Sequence, residues 1–136
     1  MKHARVAYAG GVHDALERDG QLLLADGQVV AFNDVVWLPP LQPVKQARTI
    51  LALGLNYADH AKELEFKAPE EPLVFVKGEA SLMGHRGFTR RPADVKYMHY
   101  ECELAVVIGK TEHRIESVDA LSHVASYTVA NDYAIR

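Results

Sequence analysis

Short segments with alternating or continuous apolar residues occur along the whole chain, separated by glycine, proline and asparagine. Near the start they predict β-strands at residues 4–8, 21–25 and 28–32. Asp26 and Gly27 lie between the last two segments, and Asp-Gly is a dipeptide that favours a type I′ β-hairpin turn. The pattern therefore predicts a small β module at the start of the chain.

A proline-rich segment follows this module, with Pro39, Pro40 and Pro43 close together. Proline fixes φ and has no amide hydrogen, so it disfavours both a helix interior and a central strand. We therefore predict a boundary here. Residues 1–43 form the β module and its linker, and residues 44–136 form the domain that carries the chemistry.

The second domain contains predicted strands at residues 49–55, 73–77, 101–108 and 126–130. The apolar run that ends the third of these is typical of a strand buried on both faces. Two helices are predicted, at residues 56–63 with Asn56 as cap and at residues 117–124 with Ser117 as cap. Strands outnumber helices without a regular β-α-β alternation, so the predicted fold class is α+β and β-rich.

Composition narrows the class of protein. The 136 residues are 49% apolar and 24% charged, which is typical of a folded domain. Fifteen basic and eighteen acidic residues give a net charge of −3, so nucleic acid is not an expected partner. The lone cysteine excludes an internal disulfide. Neither a secretory leader nor an apolar run of membrane-spanning length is found, so we expect a cytoplasmic protein without a membrane segment.

The first candidate site contains two glutamates and an aspartate. Glu101 and Glu103 alternate along a predicted strand and so share a face, on which His99 would also lie. Asp132 follows the next strand. Carboxylates held together repel one another unless a cation lies between them, and Mg²⁺ and Mn²⁺ prefer oxygen ligands. The alternative is a solvated strand face, which the following apolar run disfavours because unpaired carboxylates rarely begin a buried strand.

A second pair and a lysine are further candidates. His60 and Glu63 lie three residues apart on a predicted helix, a spacing that allows the carboxylate to orient the imidazole as a general acid/base. A surface helix with ordinary polar residues is the alternative. Lys77 ends a predicted strand and is a candidate to bind a substrate carboxylate, or else a solvated side chain.

Four segments in order resemble the fumarylacetoacetate hydrolase family. Residues 53–64 resemble its G-x-N-Y-x-x-H-x-x-E segment, and residues 71–77 its P-x-x-F-x-K strand. Residues 100–109 are similar to its E-x-E-L-x-V-V-I-G strand, and residues 127–132 to Y-T-x-x-N-D. Together they cover residues 49–136. A finer similarity is to the branch of the family that decarboxylates and isomerises intermediates of homoprotocatechuate degradation.

The resemblance implies a fold, ligands and roles. The fold would be the first part of the family's mixed β-roll, preceded by the small β module. Glu101, Glu103 and Asp132 would bind Mg²⁺ or Mn²⁺, and His60 with Glu63 would form the acid/base pair. The substrate would be a small 2-oxo acid, decarboxylated or isomerised through a metal-stabilised enolate.

Two alternatives to that activity stay open. One is an acylpyruvate-type hydrolase of the same family. The other is an inactive fragment that only associates with its own copies, since the family's pattern continues beyond Arg136. We expect the parent enzyme to be a homodimer.

Overall fold

The computed structural model describes residues 1–40, 49–63 and 69–135. The chain divides into two compact units, residues 1–88 and 89–136. The predicted boundary at residues 43 and 44 falls in a segment outside the described residues, so it stays a prediction. The β-rich fold class is confirmed, since nine strands are described against one short α-helix and two 3₁₀ helices.

The first unit begins with a five-stranded sheet in the order β4-β3-β2-β1-β5. Its strands all pair antiparallel and are, in chain order, β1 (Lys2–Tyr8), β2 (Gly11–Arg18), β3 (Gln21–Leu24), β4 (Val29–Ala31) and β5 (Val36–Trp37). The predicted module is therefore present, with two strands, β2 and β5, that the sequence pattern did not predict.

The buried core of the described residues lies in this sheet. Val6 and Leu22 are fully buried, and Ala15, Leu24 and Val30 pack with them. The Trp37 indole lies against Phe32, with ring centroids 5.5 Å apart, and donates a hydrogen bond to the Phe32 carbonyl oxygen at 3.2 Å. Burial of these side chains, at about 1.5–3 kcal/mol each, makes the module the best packed part of the first unit.

The turn between β3 and β4 corrects a prediction. The hairpin forms, but only Gly27 has a positive φ, of 88°, whereas a type I′ turn needs positive φ at both central residues. The last paired residues of β3 and β4 are Leu23 and Val29, and the Leu24 N–H donates to the Gln28 carbonyl oxygen, so the loop is longer than a two-residue turn. The Asp26 carboxylate accepts the Gln28 N–H at 3.0 Å, which stabilises this wider loop.

The rest of the first unit contains a two-stranded sheet and a short helix. Strands β6 (Ile50–Gly54) and β7 (Leu73–Lys77) lie in the two segments where strands were predicted, and they pair antiparallel with each other. Helix α1 (Ala58–Glu63) follows β6. Tyr57, not Asn56, immediately precedes the helix, so the predicted cap is one residue too early. A 3₁₀ helix, Glu79–Ser81, follows β7.

The second unit is built on one antiparallel pair, β8 (Cys102–Ile108) and β9 (Val124–Asn131). A 3₁₀ helix, Ser117–His123, connects them. A helix was predicted here with Ser117 as its cap, whereas Ser117 is the first residue of the 3₁₀ helix and Glu116 precedes it without a side-chain capping bond. Gly109 ends β8 where a Cβ would lie 2.7 Å from the Ala125 Cβ, so a larger residue would force the connection apart.

Strand β8 is not buried on both faces, contrary to the prediction. Its residues alternate between half-buried and exposed, and Leu104, Val106 and Ile108 are on the exposed face. The reason is that β8 has only β9 beside it among the described residues, so no second layer covers that face. None of the helices in the described part of the chain is both long and apolar enough to cross a membrane.

Candidate metal centre

The pairing of β8 with β9 fixes which side chains share a face. Cys102 lies opposite Asn131, and Glu103 opposite Ala130. The same register extends past the strand ends, because Asp132 donates its N–H to the Glu101 carbonyl oxygen at 2.8 Å. Farther along, His99 and Ala134 form an isolated antiparallel bridge. The ladder therefore runs from His99 to Val107 without a change of register.

Alternation along this ladder places the predicted ligands together on one face. Glu101 lies opposite Asp132, and Glu103 lies two residues along the same strand. Cβ atoms of opposite residues are about 5 Å apart, and those of diagonal neighbours about 7 Å. Carboxylate side chains span such distances when they turn towards an ion that binds oxygen at about 2.0–2.1 Å. His99 shares this face, as predicted.

The surroundings of the three carboxylates fit a cation. Glu101, Glu103 and Asp132 are all half-buried, and three of their neighbours on this face, Ala105, Ala130 and Ala134, are small, beside the larger His99 and Thr128. Small neighbours leave room for an ion together with water or substrate. Three negative charges on one face also repel one another, and a divalent cation offsets that repulsion.

The side chains themselves are not gathered around one point. Among the described residues, no three His, Cys, Asp or Glu side chains form a group that could hold a metal ion. The backbone register supplies the shared face, and the carboxylates would have to rotate towards the ion on binding. The assignment of Glu101, Glu103 and Asp132 as ligands therefore stays a prediction supported by register, burial and ligand chemistry.

A hydrogen bond at this site was not foreseen from the sequence. The Glu101 N–H donates to Oδ1 of Asn131 at 3.1 Å, while the Asp132 N–H donates to the Glu101 carbonyl oxygen. In a regular antiparallel pair, both bonds would be exchanged between the two opposite backbones. His99 and Ala134 show that regular exchange, at 2.8 and 3.2 Å. The Asn-Asp order was visible in the sequence, but the role of the asparagine depends on the strand pairing.

Cys102 lies on the opposite face from the carboxylates, as predicted, but it is exposed. Alternation along the strand predicts from the sequence that Cys102 faces away from the carboxylates and into apolar neighbours. The uncovered outer face of β8 explains the difference, because the cysteine belongs to the same row as Leu104 and Val106.

The other predicted site residues belong to the first unit. His60 and Glu63 lie in α1, and their three-residue spacing on a helix agrees with the prediction. Lys77 ends β7, where it is half-buried and its Nζ lies 5.8 Å from the centroid of the Phe75 ring. That contact orients the lysine along its own strand. The roles of these three residues stay predictions.

Comparison with known proteins agrees with the motifs. Residues 49–136 match the family model described as "Fumarylacetoacetate (FAA) hydrolase C-terminal". The Escherichia coli "Homoprotocatechuate catabolism bifunctional isomerase/decarboxylase" is 60% identical over 88 residues, which cover 65% of this chain and 21% of that protein. The human "Oxaloacetate tautomerase FAHD2A, mitochondrial" is 40% identical over 96 residues, covering 71% of this chain and 31% of that protein.

A solved structure is also similar. The 5-carboxymethyl-2-hydroxymuconate delta-isomerase from Mycobacterium smegmatis matches with a TM-score of 0.79 and 32% identity. The match covers 100% of this chain and 55% of that one. The chain thus spans about half of the solved structure and about a fifth of the Escherichia coli relative.

Proposed function

Because this chain belongs to the fumarylacetoacetate hydrolase family, we propose that it is part of a divalent-metal-dependent decarboxylase/isomerase in the catabolism of aromatic compounds. Its substrate would be a 2-oxo acid, or its 2-hydroxy-diene form, with two or three carboxylates. The observation that carries the proposal is the ladder that puts Glu101, Glu103 and Asp132 on one half-buried face. The 60% identity to the Escherichia coli enzyme supports the choice of reaction.

The three carboxylates would hold Mg²⁺ or Mn²⁺, since both are hard ions that favour oxygen ligands. When bound, the ion would act as a Lewis acid that stabilises the negative charge on the 2-oxo oxygen of the substrate. Three protein ligands leave coordination positions for the substrate. Lys77 would pair with a second, distant carboxylate of the substrate and so fix its orientation.

His60 and Glu63 would move the proton. In decarboxylation the bond to the departing carboxylate breaks, CO₂ leaves, and the electron pair moves through the conjugated chain to the 2-oxo oxygen. A proton from the His60 imidazolium then restores a carbon–hydrogen bond. In isomerisation the imidazole removes a proton at one carbon and returns it at another. Glu63 would orient the ring and stabilise its protonated form in both reactions.

Two other activities share this chemistry. An acylpyruvate hydrolase would use His60 to activate a water molecule for C–C cleavage. A tautomerase, the activity named for the human relative, would only move a proton between carbon and oxygen. Product analysis of the parent enzyme separates them. Our proposal predicts CO₂ and a rearranged diene, whereas pyruvate with a second acid, or a keto–enol change alone, would contradict it.

An uncovered apolar face favours a second candidate function, self-association. On the face of β8 and β9 opposite the carboxylates, five large apolar side chains are exposed by about half or more: Leu104, Val106, Ile108, Tyr127 and Val129. Such a patch is typical of a contact surface. We expect the parent enzyme to be a homodimer in the cytoplasm. A chain that self-associates but fails to bind Mn²⁺ would favour association as its only property.

A further inference from the structure

The backbone of Glu101 is held by two consecutive residues of the neighbouring strand. Its carbonyl oxygen accepts the N–H of Asp132 at 2.8 Å, and its N–H donates to the side chain of Asn131 at 3.1 Å. Two of the proposed metal ligands, Glu101 and Asp132, are therefore joined by a backbone hydrogen bond. Asn131, the residue before Asp132, makes the second contact with the Glu101 backbone.

Asn131 is not placed to bind the ion itself. It lies opposite Cys102, in the row of side chains on the other face of the ladder. Its amide oxygen accepts a hydrogen bond from the Glu101 N–H. That contact acts on the Glu101 backbone beside the bond from the Asp132 N–H, so two consecutive residues of the neighbouring strand fix how Glu101 and Asp132 face each other.

We propose that Asn131 is a positioning residue for the metal centre, one that fixes the Glu101 backbone opposite Asp132 so that the two carboxylates can turn towards the same ion when it binds. This inference rests on the proposed function. A ligand whose backbone is held needs less ordering when the ion binds, so affinity depends on partners that do not touch the ion.

A positioning role for Asn131 depends on its acceptor atom, Oδ1. Asn131→Ala removes Oδ1 and with it this acceptor for the Glu101 N–H. Asn131→Asp keeps an oxygen at that position but removes the side-chain NH₂ group. Asn33 is a matched control, since its Oδ1 also accepts a long-range hydrogen bond, from Nη1 of Arg86 at 2.6 Å, in the other unit.

The test is Mn²⁺ affinity of the chain, measured by calorimetry, for the wild type and the three variants. Asn131→Ala should lower the affinity by roughly tenfold or more, the usual effect of losing an outer partner of a ligand. Asn131→Asp should bind more tightly than Asn131→Ala, and Asn33→Ala should bind like the wild type. The thermal midpoint reports separately on folding of each variant.

A second readout needs no metal. Exchange of the Glu101 amide hydrogen in metal-free chain should be faster in Asn131→Ala than in the wild type and slow again in Asn131→Asp. If the wild type binds Mn²⁺ and Asn131→Ala binds it equally well, the positioning role is wrong while the metal centre stands. If the wild type binds no Mn²⁺, the metal centre itself is wrong, and the role of Asn131 falls with it.

Discussion

The backbone N–H of Asp132 donates to the carbonyl oxygen of Glu101 at 2.8 Å, which extends the β8–β9 ladder one step beyond its last strand pair. This bond decides the geometry of the candidate site, because it places Asp132 opposite Glu101 and on the same face as Glu103. The His99–Ala134 bridge continues the same register, so the position of Asp132 opposite Glu101 is fixed from both sides.

The acid/base role of His60 predicts a separation of catalysis from metal binding. In the parent enzyme, His60→Ala should lower kcat by at least about a hundredfold, the contribution expected of a general acid/base, while Mn²⁺ affinity stays unchanged. His113→Ala is the control, because His113 is an exposed histidine outside the proposed site. Loss of metal binding in His60→Ala would make His60 a ligand instead.

The exposure of Cys102 predicts rapid chemical labelling. A thiol reagent should modify the dilute, monomeric chain under native conditions at a rate close to that of the denatured chain, because the cysteine is exposed on the outer face of β8. At concentrations where the chain self-associates through this face, labelling should be slower. Cys102→Ala should abolish labelling and leave Mn²⁺ affinity unchanged, since residue 102 points away from the carboxylates. Slow labelling would show that a further layer, or a second copy, covers that face.

The exposed apolar face predicts self-association that is independent of the metal centre. Leu104→Lys should shift the sedimentation profile towards monomer, because a buried lysine disfavours an apolar contact. Mn²⁺ affinity should not change, since Leu104 lies on the opposite face from Glu103. Val118→Lys is the control, an 88% exposed apolar residue in the 3₁₀ helix. An unchanged profile for Leu104→Lys would mean that this face is not the contact.

The pKa of Glu17 predicts a loss of stability in acid. The Gly20 N–H, and next Lys2, whose Nζ lies 3.3 Å away, lower the pKa of this carboxyl below its ordinary value of 4.5. The contribution of the ionised form is therefore complete above the unfolded pKa and is lost as pH falls through the lower folded pKa.

Urea unfolding of the wild type and Glu17→Gln from pH 7 down to pH 2 checks this. The difference in stability between them should shrink below about pH 4.5. Lys2→Met should retain part of the effect, because the hydrogen bond from the Gly20 N–H, the first of the causes, remains. A constant difference over the whole range would contradict the assignment.

Strands that have a clear apolar pattern and end at a proline or a glycine were predictable from the sequence. Strand β7 lies between Pro72 and Gly78 and was placed to the residue, and β8 to within one. Strand β2 was missed because its order of polar and apolar residues, from Val12 to Glu17, does not alternate regularly. Its identity depends on pairing with β1 and β3, which are contacts beyond the reach of local pattern.

The candidate site, too, was predictable from the sequence only in part. That Glu101 and Glu103 share a face followed from strand geometry alone, whereas the position of Asp132 required the register. The role of Asn131 was not predictable, because the amide group of an asparagine next to an aspartate shows no particular partner until the strands are paired. Exposure of Leu104 was also unpredictable, since an apolar run does not show what covers it.

The central claim is that Glu101, Glu103 and Asp132 bind one divalent ion, and Mn²⁺ titration followed by calorimetry tests it most directly. The wild type should bind one Mn²⁺ per chain, and Glu103→Gln should weaken binding by at least the roughly tenfold to hundredfold that even outer partners of a metal site contribute. Glu116→Gln, which changes an exposed glutamate of the same unit, should bind like the wild type. Equal affinities for the wild type, Glu103→Gln and Glu116→Gln would contradict the account.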